Sequence, residues 1–189
     1  MLALHEALRV QAQHDPLTGL LNRRAILEGL QRELQRASRE GGSVGVIMAD
    51  LDHFKQTNDL HGHMVGDAVL QESARRMRSV LRSYGQIGRY GGEEFLIVVP
   101  GFDETLASTV AERIRTCLSA TPIPTSAGAL LVTISLGVVT AHGSHLESGD
   151  QLIAAADVAL YRAKNAGRNR VEVYDREVPI DTINNSSIQ

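Results

Sequence analysis

The hydrophobic positions along the chain follow two alternating periods. After Asn22, which can cap a helix, Ile26, Leu30, Leu34 and Ala37 recur at helical spacing, and Gly41 and Gly42 suit the helix's end. SVGVIMAD, residues 43–50, then reads as a buried strand. GHMVGDAVLQESARRMRSVLRS repeats Leu70, Ala74, Met77 and Leu81, and FDETLASTVAERIRTCLSA and DQLIAAADVALYRAKNAG carry the same amphipathic pattern, which predicts three more helices. QIGRY, EFLIVVP, ALLVTISLGVVT and RVEVYD are β-branched or apolar and bounded by turn residues, so they read as strands. TPIPTSAG and AHGSH read as turns. The link between IGRY and EEFLIVV is the pair Gly91-Gly92, short enough only for a hairpin, so these two strands are antiparallel. The pattern therefore predicts an α+β sandwich, a mixed and mostly antiparallel sheet flanked by helices, rather than a doubly wound parallel sheet. It leaves the strand order open.

At 189 residues, 43% hydrophobic and 22% charged, the chain suffices for one sizeable core and is too short for two ordinary domains. MLALHEALRVQAQ, with Leu4 and Leu8 four apart, reads as a helical linker stub over residues 1–13, the end of a longer helix. PIDTINNSSIQ closes a polar tail over residues 176–189. The apolar runs VGVIMA and FLIVV are far shorter than the roughly 18 residues of a membrane span, and His5, Glu6 and Arg9 interrupt the N-terminal segment too early for a signal peptide. A cytoplasmic chain is expected, with no membrane contact of its own. The single Cys117 excludes an internal disulfide, and its spacing with Leu106, Val110, Ile114 and Leu118 predicts a buried thiol. A net charge of −3 with 4% aromatic residues and no basic run argues against polymeric nucleic acid as a partner. A mononucleotide needs only a few local cations.

Two acidic clusters carry the chemistry. Asp50 stands where the apolar strand VGVIMA runs out, a place that holds a carboxylate rigidly and still meets water. Such oxygen ligands suit Mg²⁺ or Mn²⁺, which take few protein carboxylates and leave positions for phosphate oxygens. The second cluster is RYGGEEF, in which Gly91 and Gly92 permit positive φ and close approach of an anion while Glu93 and Glu94 project from the tip. If that hairpin lies beside the strand ending at Asp50, Glu93 and Asp50 converge on one or two divalent ions. Lys55 follows five residues after Asp50, and Lys164 and Arg168 are four apart near the end of the last helix, on one face, able to pair with phosphate. His61 and His63 lack a third nitrogen or sulfur ligand at suitable spacing, so no transition-metal site is expected from them.

DPLTGLLNRR, DLDHFKQTND, GHMVGD, RYGGEEF, TISLGV and ADVALYRAKNAGRNRV follow one another in this order, and together they resemble the GGDEF domain, the catalytic module of diguanylate cyclases, in its GGEEF variant, over residues 14–175. The resemblance implies a central sheet of about five strands flanked by helices, similar to the palm of nucleotide polymerases and adenylyl cyclases. It implies metal ligation by Asp50, the carbonyl of Leu51, Glu93 and Glu94, with Glu93 helping to deprotonate an attacking 3′-hydroxyl. Asn58 and Asp67 match the family's guanine readers, His63 a neighbouring nucleotide-site position, and Gly91 and Gly92 the phosphate-approach glycines. Lys55, Lys164 and Arg168 match the triphosphate cations. The family's inhibitory product site, Arg-x-x-Asp, is here RSYG, so Arg82 stands without its carboxylate and feedback inhibition is expected to be weak.

The implied activity is Mg²⁺-dependent condensation of two GTP into cyclic di-GMP with release of pyrophosphate, by a homodimer in which each chain supplies half of the working site. An upstream sensor or receiver domain would control that pairing. The alternatives are a non-catalytic GTP- or cyclic-di-GMP-binding module, and a cyclase with altered base choice, against which Asp67 argues.

Overall fold

The computed structural model describes residues 13–81, 84–142 and 148–175. Its elements are α1 (Arg23–Glu40), β1 (Ser43–Leu51), α2 (Phe54–His61), α3 (His63–Leu81), β2 (Gln86–Arg89), β3 (Glu94–Pro100), α4 (Glu104–Ser119), β4 (Ile123–Thr125), β5 (Gly128–Leu130), β6 (Ile134–His142), α5 (Gly149–Asn165) and β7 (Val171–Val173). Five strands form one sheet in the order β2-β3-β1-β6-β7. All neighbours are antiparallel except β6 and β7, which run parallel. This is the mixed, mostly antiparallel five-stranded sheet flanked by helices that the sequence predicts. The hairpin between β2 and β3 is antiparallel as the short diglycine link requires.

β1 lies at the centre, and eight of its nine residues in succession are buried, because helices cover both faces of the sheet. Side-chain alternation divides the core in two. Ile47, Ala49 and Leu51 join Phe95, Ile97 and Val99 beneath α3 and α4, which contribute Leu70, Ala74, Met77, Leu81, Val110, Ile114 and Leu118. Val44, Val46 and Met48 join Leu96 and Val98 beneath α1 and α5, which contribute Ile26, Leu30, Leu34, Leu152, Ala156 and Leu160. Each such side chain, removed from water, contributes about 1.5–3 kcal/mol, so this double core dominates the fold's stability. Gly137 of β6 sets the close approach of α5, since a Cβ there would collide with the Ala156 carbonyl and the Leu160 amide.

Local signals act as anticipated at α1, where Asn22 accepts from the Ala25 amide at 3.0 Å and Gly41 ends the helix at φ 71°. Ser148 and Gln151 form a capping box at the start of α5. One helix goes unread and two segments need correction. The eight-residue α2 has only Phe54 buried, too little periodicity to read from sequence. ALLVTISLGVVT is not one strand: β5 ends at Leu130, residues 131–133 are irregular with Leu131 67% exposed, and β6 begins at Ile134. TPIPTSAG is not merely a turn, since it supplies β4, which pairs with β5 in a separate hairpin. The buried Arg76 clamps the entry to that hairpin by donating to the carbonyls of Thr121 at 2.6 Å and Pro122 at 3.0 Å. On α4 the buried stripe is Ala107, Val110, Ala111, Ile114 and Leu118, so Cys117 lies at its shoulder, half-buried, and Leu106 is exposed. The N-terminal stub up to residue 12, Arg82 and the tail over residues 176–189 lie outside the described residues.

Candidate active site

The end of β1 and the start of β3 are built as a pair. Antiparallel register sets Asp50 opposite Glu94, with both side chains on the face covered by α1 and α5. The Leu51 amide donates to the Glu93 carbonyl at 3.3 Å, which ties the hairpin tip to the strand end. From the other side, the Arg89 guanidinium donates to the Gly92 carbonyl at 3.1 and 2.8 Å and reaches the Asp15 carboxylate at 3.3 Å. Asp15 accepts in turn from the Thr18 hydroxyl at 2.7 Å. Burial opposes ionisation of Asp15, but these bonds from Thr18 and the charge of Arg89 prevail and hold its carboxyl below the usual range. The tip is thus rigid before any ligand arrives. Among the described residues neither Gly91 nor Gly92 has positive φ, contrary to the expectation from sequence. Their value is steric: the Glu94 carboxylate fills the place of a Gly91 Cβ, and Gly92 faces open space.

α5 brings the cation. Lys164 Nζ lies 2.9 Å from Asp50 Oδ2, with the lysine side chain 32% and the aspartate 11% exposed. Asp157 and Tyr161, seven and three residues earlier on the helix, join Lys164 and Glu94 in lining a cleft of about 370 Å³. Burial is the main force raising the Asp50 carboxyl above its ordinary range; Lys164 opposes it, and the charges of Glu93 and Asp52 add to it. Glu94 is raised by burial and by repulsion from Asp50 and Asp157, against the pull of Lys164 and Arg23. Asp157, exposed at the rim of the cleft, is raised by its partial enclosure there, which outweighs Lys164. Glu93 and Glu94 each therefore sit close enough to Asp50 to repel it, and the one ammonium of Lys164 acts on Asp50, Glu94 and Asp157 alike. On the far flank Arg23 stacks on the Tyr90 ring at 4.4 Å and donates to its hydroxyl at 3.3 Å.

A second group forms a helical elbow directly after β1. The Gly62 amide donates to the Asn58 carbonyl at 2.8 Å, closing α2 and starting α3. Gly66 leaves the space that the Asn58 carboxamide occupies. Lys55, His63 and Asp67 are exposed and Asn58 is half-buried on this elbow, so side chains dispersed over thirteen sequence positions are presented together. Arg168 is placed differently from the sequence expectation. α5 ends at Asn165, and Arg168 has φ 62°, so it does not share a helical face with Lys164 but stands in the turn beyond the helix.

A family model described as "Diguanylate cyclase, GGDEF domain" matches residues 12–170, most of the chain. This chain belongs to the GGDEF domain family. The domain is 41% identical over 174 residues to "Diguanylate cyclase DgcP" of Pseudomonas aeruginosa, covering 90% of this chain and 26% of that protein. It is 41% identical over 159 residues to "Response regulator PleD" of Caulobacter vibrioides, covering 83% of this chain and 35% of that protein. The chain therefore spans about a quarter to a third of these relatives. The GGDEF domain also superposes on the coiled coil and GGDEF domain of DgcB from Caulobacter crescentus, solved with c-di-GMP, at TM-score 0.84 and 33% identity, covering 91% of each chain.

For a GGDEF domain of this family a divalent metal is implied, and the donor set fits one. Asp50, Glu93 and Glu94 offer only hard oxygens, and the ammonium of Lys164 already lies against Asp50 as a stand-in cation. Among the described residues no three His, Cys, Asp or Glu side chains form a group that would hold a metal ion by themselves. No helix among the described residues is long and apolar enough to cross a membrane.

Sequence reasoning passed over several residues of this GGDEF site. Asp157 lies two helical turns before Lys164, a spacing legible in the chain but ambiguous on any helix. Arg23 and Tyr90 are 67 positions apart, and nothing local links them. Asp52 is buried and bonded to residues 81 and more positions away.

Proposed function

We propose that this GGDEF domain condenses two GTP molecules into cyclic di-GMP, releasing two pyrophosphates. The observation that carries the reading is the register of β1 and β3, which sets Asp50 opposite Glu94 with Lys164 against the same carboxylate. Asn58 and Asp67 face guanine, where a carboxylate meets the N1–H and N2–H donors that adenine does not offer as a pair. His63 flanks that position. Lys55, Lys164 and Arg168 pair with the triphosphate, and Gly91 and Gly92 let it approach the main chain.

Asp50, Glu93, Glu94 and the Leu51 carbonyl would hold Mg²⁺ or Mn²⁺. That ion supplies positive charge for the triphosphate and the departing pyrophosphate. Glu93 takes the proton from a ribose 3′-hydroxyl, whose oxygen then bonds to the α-phosphorus of the second GTP as the bond from that phosphorus to the β-phosphate bridge breaks. Two such steps close the ring. One chain presents one GTP, so a second copy must face it, and most of the acceleration comes from alignment and charge stabilisation. The names of the relatives, a response regulator and a coiled-coil protein among them, support an upstream sensor or receiver region that governs this pairing.

The test is incubation with GTP and Mg²⁺ while pyrophosphate and cyclic product are measured over a range of protein concentrations. Turnover per chain should climb with concentration, and Glu93→Gln should fold normally yet lose nearly all of it. GTP binding without pyrophosphate at any concentration would make the domain a receptor instead. Feedback through the RSYG segment is weak on this reading. At Gly85, where the family's aspartate would stand, a Cβ would strike the Val98 carbonyl, leaving no room for that carboxylate. Strong inhibition by added product in a progress curve, abolished by Arg82→Ala, would refute this.

A further inference from the structure

Asp52 is 7% exposed and is neither among the carboxylates facing Lys164 nor paired with any cation among the described ion pairs. Its Oδ1 accepts from the Ser135 hydroxyl at 2.7 Å, and its Oδ2 accepts from the Thr133 hydroxyl at 2.7 Å and from the Asn169 amide at 3.0 Å. One carboxylate thus joins the end of β1, the start of β6 and the turn after α5. Asn169 is gripped a second time, because Arg115 of α4 donates to its side-chain oxygen at 2.9 Å.

Backbone strain gathers at the same place. The non-glycine residues with positive φ among the described ones are His53 at 57°, Arg168 at 62° and Asn169 at 46°. One adjoins Asp52 in sequence and the other two form the turn that Asp52 holds. Asparagine tolerates this conformation, but an arginine does not adopt it without support from its surroundings. The Arg168 amide donates to the Ala163 carbonyl at 3.0 Å, and the Leu136 amide donates to the Arg170 carbonyl at 2.9 Å, so the turn is fastened on each side of its strained pair. What this fastening aims is the exposed Arg168 side chain. A helix that simply continued would carry position 168 along α5 instead.

We propose that Asp52 is a positioning residue for the triphosphate, acting through the Asn169 amide to preset Arg168, an inference that rests on the GTP-binding reading above. The function of the carboxylate is to accept at three points at once; its charge never meets the nucleotide.

The test measures equilibrium binding of 3′-deoxy-GTP, which lacks the attacking hydroxyl and cannot turn over, and of GMP, which lacks the distal phosphates, to the full chain with Mg²⁺. Asp52→Ala should weaken 3′-deoxy-GTP roughly 10-fold, the loss of about one charge-assisted contact, and GMP less than about 2-fold. Arg168→Ala should do the same, and the double variant should be no weaker than Arg168→Ala within about 2-fold. Asp52→Asn should keep affinity within about 3-fold of the wild type, because its carbonyl can face Thr133 and Asn169 while its amide donates to Ser135. Should Asp52→Ala fail to fold, Thr133→Val serves: it removes one of the two hydroxyls that hold the Asp52 carboxylate beside the Asn169 amide, so 3′-deoxy-GTP affinity should fall while GMP affinity holds. Equal losses for GMP and 3′-deoxy-GTP, additive effects of Asp52→Ala and Arg168→Ala, or undiminished binding by Thr133→Val would each overturn the proposal. A wild-type chain that binds neither nucleotide would overturn the GTP reading itself, and this inference with it.

Discussion

Lys164→Met removes the ammonium from Asp50 while keeping most of the aliphatic stem that packs along α5. Asp50 is then left with 11% of its side chain exposed and with Glu93, Glu94 and Asp52 as its charged neighbours. Depriving a buried acceptor of its only cation costs about 1–3 kcal/mol. Lys164 itself is 32% exposed, so solvent screens part of the attraction and the low end of that range applies, about 1–1.5 kcal/mol. For a domain of this size each kcal/mol moves Tm by about 2–4 °C, so the variant should melt roughly 2–6 °C below the wild type in metal-free buffer at pH 7. Mg²⁺ supplies the missing positive charge and no longer competes with the lysine. The rise in Tm on adding it should therefore be larger for Lys164→Met than for the wild type. Asp50→Asn on the same background should return the stability lost in metal-free buffer, because the uncompensated carboxylate is its source. Calorimetry of the three proteins with and without Mg²⁺ measures all of this. Equal Tm values without metal, together with equal Mg²⁺ shifts, would show that the ion pair contributes nothing and that Lys164 is not a stand-in cation.

Asp157→Asn should raise Tm at neutral pH: a carboxyl raised in the folded state above its ordinary value of 3.8 stabilises the fold below that value and loses the contribution as pH rises through the raised one. The advantage of the variant should vanish below about pH 3.8, and its persistence there in a pH series of melts would count against the assignment. Glu72 behaves with the opposite sign. Hydrogen bonding to Arg75, aided by Arg76, lowers it to about 2, so its contribution is complete above pH 4.5 and is lost as pH falls towards 2. Glu72→Gln should cost roughly 0.5–1 kcal/mol at pH 7 for this partly exposed pair and flatten the acid limb of a urea-unfolding series; an unaltered limb would refute it.

Much of the fold was legible because it depends on short-range patterns. The stripe of Ile26, Leu30, Leu34 and Ala37, the Asn22 cap and the diglycine hairpin each show their structural consequence within a few residues. That the hairpin tip lies near Asp50 was legible at one remove, since a hairpin beside a buried strand must place its tip near that strand's end, but that Glu94 rather than Glu93 stands opposite Asp50 depends on a register no local pattern encodes. Arg168 was misplaced because helical spacing was extended past Asn165, where the Asp52 bond and the left-handed turn take over from periodicity. Asp52 itself reads in the chain as another solvated acid. Its partners Thr133, Ser135 and Asn169 meet it only after β1, β6 and α5 have packed, and no local pattern encodes that meeting. The β4–β5 hairpin was obscured for a related reason, since the Arg76 clamp that fixes its entry reaches across from α3.

The electrostatics of the cleft explain why a well-packed fold keeps so costly an arrangement. Asp50, Glu94 and Asp157 are each raised by burial, and Lys164 opposes the rise in every one of them. A single ammonium cannot satisfy three carboxylates, so the free domain carries a surplus of negative charge at the open end of its sheet. Replacing those acids by apolar residues would relieve the surplus and stabilise the fold, at the cost of a cleft able to attract further cations. The rigid tip built by Arg89 and Asp15, and the turn fastened by Asp52, hold the surplus in place rather than letting it relax into solvent. Stability given up at the carboxylates is thus recoverable only by a bound cation, and that dependence couples metal binding to the ordering of the site.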